Sequence, residues 1–63
     1  MNPDQKLIQS AYEDAIRRLY DRLFEGYSEA GGVLAQEAQA EQNFSAGVVF
    51  ARRSRDRAIA LLG

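Results

Sequence analysis

The sequence predicts an all-α protein: an antiparallel hairpin of two long helices that self-associates, with a four-helix bundle as the expected assembly. Apolar residues recur at three- and four-residue steps along both halves of the 63-residue chain. Two consecutive glycines, Gly31 and Gly32, interrupt this pattern near its middle. A short run in the second half is apolar around most of a helix, so one partner helix would not cover it.

The first helix is expected over about residues 3–29. Asn2 can cap it, Pro3 suits the first helical position, and Gln5 stands where the partner of a capping box belongs. The apolar stripe repeats after about 11 residues, or three turns, which predicts a nearly straight helix rather than a left-handed supercoil. Its members are Leu7, Ile8, Ala11, Tyr12, Ala15, Ile16, Leu19, Tyr20, Leu23, Phe24 and Tyr27.

The turn is expected over about residues 30–32. A glycine can end a helix in the left-handed conformation, and Gly31 and Gly32 supply two of them. Gly26 is an alternative end point. The later stop is preferred because Tyr27 and Ala30 continue the stripe.

The second helix is expected over about residues 33–62, with a seam made largely of small residues. Small side chains allow two helices to approach to about 8 Å, the lower end of the usual range. The bulky stripe of the first helix is the natural complement of such a seam. A seven-residue reading places the seam at Val33, Glu37, Ala40, Phe44, Gly47, Ala51, Ser54, Ala58 and Leu61.

Val48, Val49 and Phe50 form the candidate interaction surface. They belong to the apolar run that one partner helix cannot cover. A second hairpin packed across them would give a homodimeric four-helix bundle. Docking of a different protein is the alternative.

Composition also favours self-association. In a single domain of this size, the free energy gained by burying the core barely offsets the conformational entropy lost on folding. The chain contains no Cys for disulfides and no His for the usual zinc sites, so neither can add stability. The formal net charge of −1 indicates no global attraction to nucleic acid or an anionic membrane. With no apolar run long enough to span a bilayer and no signal-peptide pattern, we expect a cytoplasmic protein without membrane contact.

The sequence favours a non-enzymatic interaction or structural module, with no catalytic, cofactor-binding or metal-ligating residues. Its serines have no His or Cys with which to form a nucleophilic pair. Glu37 and Glu41, one turn apart, are the nearest approach to a carboxylate site. Carboxylate-bridged metal bundles generally add a Glu-x-x-His element, which this chain lacks.

The candidate anion-binding surface consists of Arg52, Arg53, Arg55 and Arg57, the densest charge in the chain. It supports an alternative function, the binding of nucleic acid or phosphate. The simpler interpretation is that these arginines complement the helix dipole and pair with acids of the first helix. An antiparallel hairpin would bring Arg57 towards Asp4, and Arg53 towards Glu13 or Asp14.

Overall fold

The computed structural model describes residues 2–63 and contains two helices that pack against each other. Helix α1 runs over Pro3–Ala30 and helix α2 over Leu34–Leu62. The hairpin predicted from the sequence is therefore confirmed. Helix α1 ends one residue later than expected, and α2 begins one residue later because Val33 is its N-cap.

Helix α1 begins with the expected capping box. The Asn2 side-chain oxygen accepts a hydrogen bond from the Gln5 backbone N–H at 2.8 Å. The Gln5 side chain in turn accepts from the Asn2 backbone N–H at 3.3 Å. Two backbone donors at the helix start are thereby satisfied, and Pro3 in the first turn has no donor to lose.

The turn depends on two glycines with positive φ. Gly31 has φ 56° and ψ 33°, the left-handed conformation that ends helices, and its N–H donates to the Tyr27 carbonyl at 3.3 Å. Gly32 follows with φ 87°. Gly26 does not end the helix and lies inside α1.

The two helices approach each other closely at Gly26 and Gly47. A Cβ built on Gly26 would lie 2.7 Å from the Cβ of Ala40, and one built on Gly47 would overlap Leu19 Cδ2. Neither glycine can therefore gain a side chain without some movement of its neighbour. The prediction of a small seam on α2 receiving bulk from α1 agrees with the Leu19–Gly47 contact.

The seam of α2 departs from the seven-residue reading at its two ends. Arg55 is half-buried where Ser54 was expected, and Ser54, Val33 and Leu61 are exposed. In a straight helix a seven-residue repeat drifts by about 20° per repeat, so the contact line moves to the next residue within a few turns. Both helices instead follow an 11-residue repeat. On α1, two series of half-buried or buried residues are spaced by 11: Ile8 with Leu19 and Ala30, and Tyr12 with Leu23. On α2 the corresponding pairs are Ala40 with Ala51, and Phe44 with Arg55.

The expected ion pairs between the helices do not form. Each of the two ion pairs found in residues 2–63 joins residues of the same helix: Asp14 with Arg17 at 2.7 Å in α1, and Asp56 with Arg55 at 3.0 Å in α2. The antiparallel arrangement therefore rests on the short turn and on packing rather than on charge pairing.

Candidate interaction surface

The hairpin buries very little of itself. Within residues 2–63, Ala30 is the one buried residue, at 3% exposure. The Cα atoms span 46 × 14 × 10 Å, the shape of a single layer of two helices. Large apolar side chains left exposed are Leu7, Tyr20, Phe24, Tyr27, Val33, Leu34, Val49, Phe50, Leu61 and Leu62.

One face of this layer carries a groove of about 620 Å³ between α1 and α2. Small residues on α1, Ala11 and Ala15, form part of its wall, and Leu19 lies at its floor against Gly47. Phe50 stands on the α2 side with 71% of its surface exposed. The remaining lining residues are Ile8, Tyr12, Arg18, Arg22, Ala51, Ser54, Arg55 and Ala58.

The charged residues that line the groove are all basic. Arg18, Arg22 and Arg55 line it, and among residues 2–63 no carboxylate does. The Arg55 guanidinium carbon lies 4.4 Å from the centre of the Tyr12 ring, a cation–π contact between the two helices. In the part of the chain that the structure describes, neither Arg18 nor Arg22 has a carboxylate within ion-pair distance.

The three residues of the candidate interaction surface do not share one face. Phe50 lines the groove, Val48 is half-buried beside the seam, and Val49 is 55% exposed outside the groove. This separation follows from a helix advancing about 100° per residue. The α1 wall of the groove was not predicted from the sequence, although the alanines in the otherwise bulky stripe of α1 were a signal for it.

The four arginines of the candidate anion-binding surface also diverge. Arg55 is engaged with Tyr12 and Asp56, whereas Arg52, Arg53 and Arg57 are exposed. Among residues 2–63, these three exposed arginines make no ion pair. They remain accessible to an anion, and Arg53 and Arg57, one helical turn apart, share a face of α2.

Tyr27 and Glu41 make the one side-chain hydrogen bond between the two helices within residues 2–63. The Tyr27 hydroxyl donates to Glu41 Oε2 at 2.6 Å. This bond, together with partial burial and the charges of Glu41 and Glu37, raises the pKa of Tyr27 above its ordinary value of 10.0. The Glu41 carboxylate therefore accepts a hydrogen bond from Tyr27. No group of three potential metal ligands occurs in the described residues.

Comparisons with known proteins leave the surface to be interpreted on its own chemistry. No protein family, no curated protein and no solved structure matches the chain. Across residues 2–63, neither helix has an apolar stretch long enough to cross a membrane.

Proposed function

We propose that this protein is a small non-enzymatic interaction or structural module that acts through helix packing and self-association. The observation that carries the proposal is the surface that the single chain leaves open. Its accessible surface is 4882 Å², whereas a compact monomer of its mass, 7.0 kDa, is expected to expose about 4000 Å². The excess of roughly 900 Å² is comparable in size to what one partner buries in a standard interface, about 800 Å².

The chemistry of that surface supports packing as the mode of recognition. Phe50, Leu7 and Leu61 are each more than two thirds exposed, and exposed side chains of this size are costly in water. A second hairpin laid on the first would complete a four-helix bundle of ordinary thickness. The homodimer is therefore the proposed assembly, with cover by a different protein as the alternative.

Sedimentation equilibrium over a concentration series tests the proposal. We expect the chain to be dimeric at micromolar concentration, and Phe50→Asp to shift it towards monomer. Reversing two exposed arginines together, Arg53→Glu with Arg57→Glu, is the matched control and should leave the dimer assembled. A chain that stays monomeric throughout, with circular dichroism showing it helical, would contradict self-association.

Binding of nucleic acid or phosphate is the second candidate, favoured by the three exposed arginines, Arg52, Arg53 and Arg57. Such binding would depend steeply on salt, because it releases counterions from the nucleic acid. Fluorescence anisotropy with a labelled RNA or DNA duplex at two salt concentrations tests it. The double arginine reversal should abolish binding while Phe50→Asp should not, which is the opposite of the pattern expected for packing.

A further inference from the structure

We propose that the groove is closed by the groove of a second copy, with the two hairpins related by a two-fold axis parallel to their helices. In this arrangement α1 of each copy lies on α2 of the other, and both turns lie at the same end of the bundle. Phe50 of each copy then fills the groove of the other. The inference rests on the proposed self-association and adds the face and the orientation.

The shapes of the two groove walls are complementary. The α1 wall carries the small residues Ala11 and Ala15, and the α2 wall carries the protruding ring of Phe50. A two-fold axis parallel to the helices lays the α1 wall of one copy on the α2 wall of the other. At the height of Phe50 the α1 wall offers the small Ala15, flanked by Arg18 and Leu19, so each ring meets Ala15 of the other copy.

The heights of the residues along the hairpin follow from its internal contacts. Leu19 meets Gly47, Tyr12 meets Arg55, and Tyr27 meets Glu41. Interpolation between these contacts places Arg18 at the height of Val48, two residues or about 3 Å from Phe50 along the axis. A two-fold axis parallel to the helices leaves every residue at its own height, so the Arg18 side chain of one copy would lie within reach of the Phe50 ring of the other.

Repulsion between the Arg18 side chains of the two copies favours this orientation over the reversed one. A two-fold axis perpendicular to the helices and crossing them at their middle would lay α1 on α1. Arg18 of the two copies would then lie about one helical turn, roughly 5 Å, apart along the bundle. Like charges this close are unfavourable, and no carboxylate lines the groove to offset them. In the parallel-axis orientation the two Arg18 residues lie at the same height but on diagonally opposite helices, and each has the Phe50 ring and the uncharged Gly47 and Ala51 of the facing helix beside it, which favours this orientation.

The exposed leucines at the open end of the hairpin also favour the two-fold axis parallel to the helices. Leu7 lies three turns before Arg18, and Leu61 lies three turns after Phe50, so each is in line with a groove residue. They are 69% and 77% exposed. The parallel axis brings Leu7 of one copy onto Leu61 of the other, twice per dimer, whereas the reversed orientation places both leucines at the turn end of the other copy.

Distances between spin labels test the orientation, and the chain has no Cys of its own to interfere. Nitroxide labels on Ser28→Cys, near the turn, and on Ala60→Cys, at the open end, occupy exposed helical positions. Ala46→Cys, exposed near the middle of α2, is the matched control. Double electron–electron resonance reports the distance between copies, and dilution with unlabelled chain should reduce the signal in proportion.

We expect both end labels to give distances set by the width of the bundle, about 20–25 Å. The reversed orientation would instead separate the end labels by about 35 Å or more along the axis while the Ala46→Cys distance stayed short. That result would overturn the orientation and leave self-association intact. A loss of dipolar signal at all three sites, with the chain monomeric in sedimentation, would overturn the proposed function as well.

A pair of neighbouring substitutions tests the face. Phe50→Asp places a charge in the groove, and Val49→Asp places the same charge on the next residue, which is also exposed but lies outside it. We expect Phe50→Asp to raise the dimer dissociation constant at least about a hundredfold, because two rings leave the interface. Val49→Asp should change it less than about threefold. The reverse ranking, or equal effects, would overturn the groove as the interface.

Discussion

Gly47→Leu is the sharpest test of close helix packing. In the wild type, a Cβ on residue 47 would already overlap Leu19 Cδ2 and would lie 3.2 Å from its Cδ1. A leucine places three further carbons in the same space, beside the half-buried Ala51. Leu19 or the whole of α1 must therefore move outward.

The expected cost is best measured against Gly47→Ala. Replacing a mid-helix glycine by alanine gains about 1 kcal/mol of helix propensity, and leucine has nearly the same propensity as alanine. The difference between the two variants therefore reports packing. Forcing extra carbons into a packed contact typically costs about 1–3 kcal/mol, so Gly47→Leu should be less stable than Gly47→Ala by that amount.

Urea unfolding followed by far-ultraviolet circular dichroism, at one fixed chain concentration, measures this difference. Ala46→Leu is the matched control, because it adds a large side chain at the neighbouring exposed position. That substitution should change stability by less than about 0.5 kcal/mol. If Gly47→Leu were as stable as Gly47→Ala, the helices would not be held at close distance by residue 47.

Three other substitutions test separate parts of the hairpin. Gly26→Ala should destabilise more than Gly47→Ala in urea unfolding, because its Cβ would meet the Ala40 Cβ at 2.7 Å and neither atom can rotate away. Asn2→Ala should cost about 0.5–2 kcal/mol by the same assay, through loss of the N-cap. The hydrogen bond from Tyr27 to Glu41 should contribute its full stability below a pH of about 10, where the phenol keeps its proton. This contribution should be lost as the pH rises through the raised pKa of Tyr27. Ultraviolet titration checks this: Tyr27→Phe should remove an ionisation with a midpoint above 10.0, and a midpoint at or below that value would contradict the direction of the shift.

Local signals in the sequence predicted the hairpin well because each has a short-range physical cause. The capping box requires two side chains three residues apart, Asn2 and Gln5, and both hydrogen bonds form. The left-handed cap at Gly31 requires a residue without a Cβ penalty. Such features are decided within one turn of helix, so neighbouring residues are sufficient to recognise them.

Features that depend on the phase between two helices were predicted less well. The exchange of Ser54 for Arg55 in the seam accumulates from a small drift per turn, which a seven-residue reading hides. The ion pairs expected for Arg53 and Arg57 required a facing residue at the right height, and exposed arginines gain little from such pairs. The groove combines residues from both helices, so the apolar run of α2 indicated Phe50 without indicating its surroundings.

The small seam that makes the hairpin tight also explains why it buries so little. Gly26, Ala40 and Gly47 let the helix axes approach, but they contribute almost no side-chain area to a core. The bulky residues are displaced to the edges of the contact, where Phe50 is left 71% exposed beside a groove. A wider seam filled by leucines would bury its own bulk and leave a flatter, more polar face. Close approach within one chain therefore leaves the large side chains unburied, and in the proposed assembly a second layer would bury them by recognising the uneven walls of the groove.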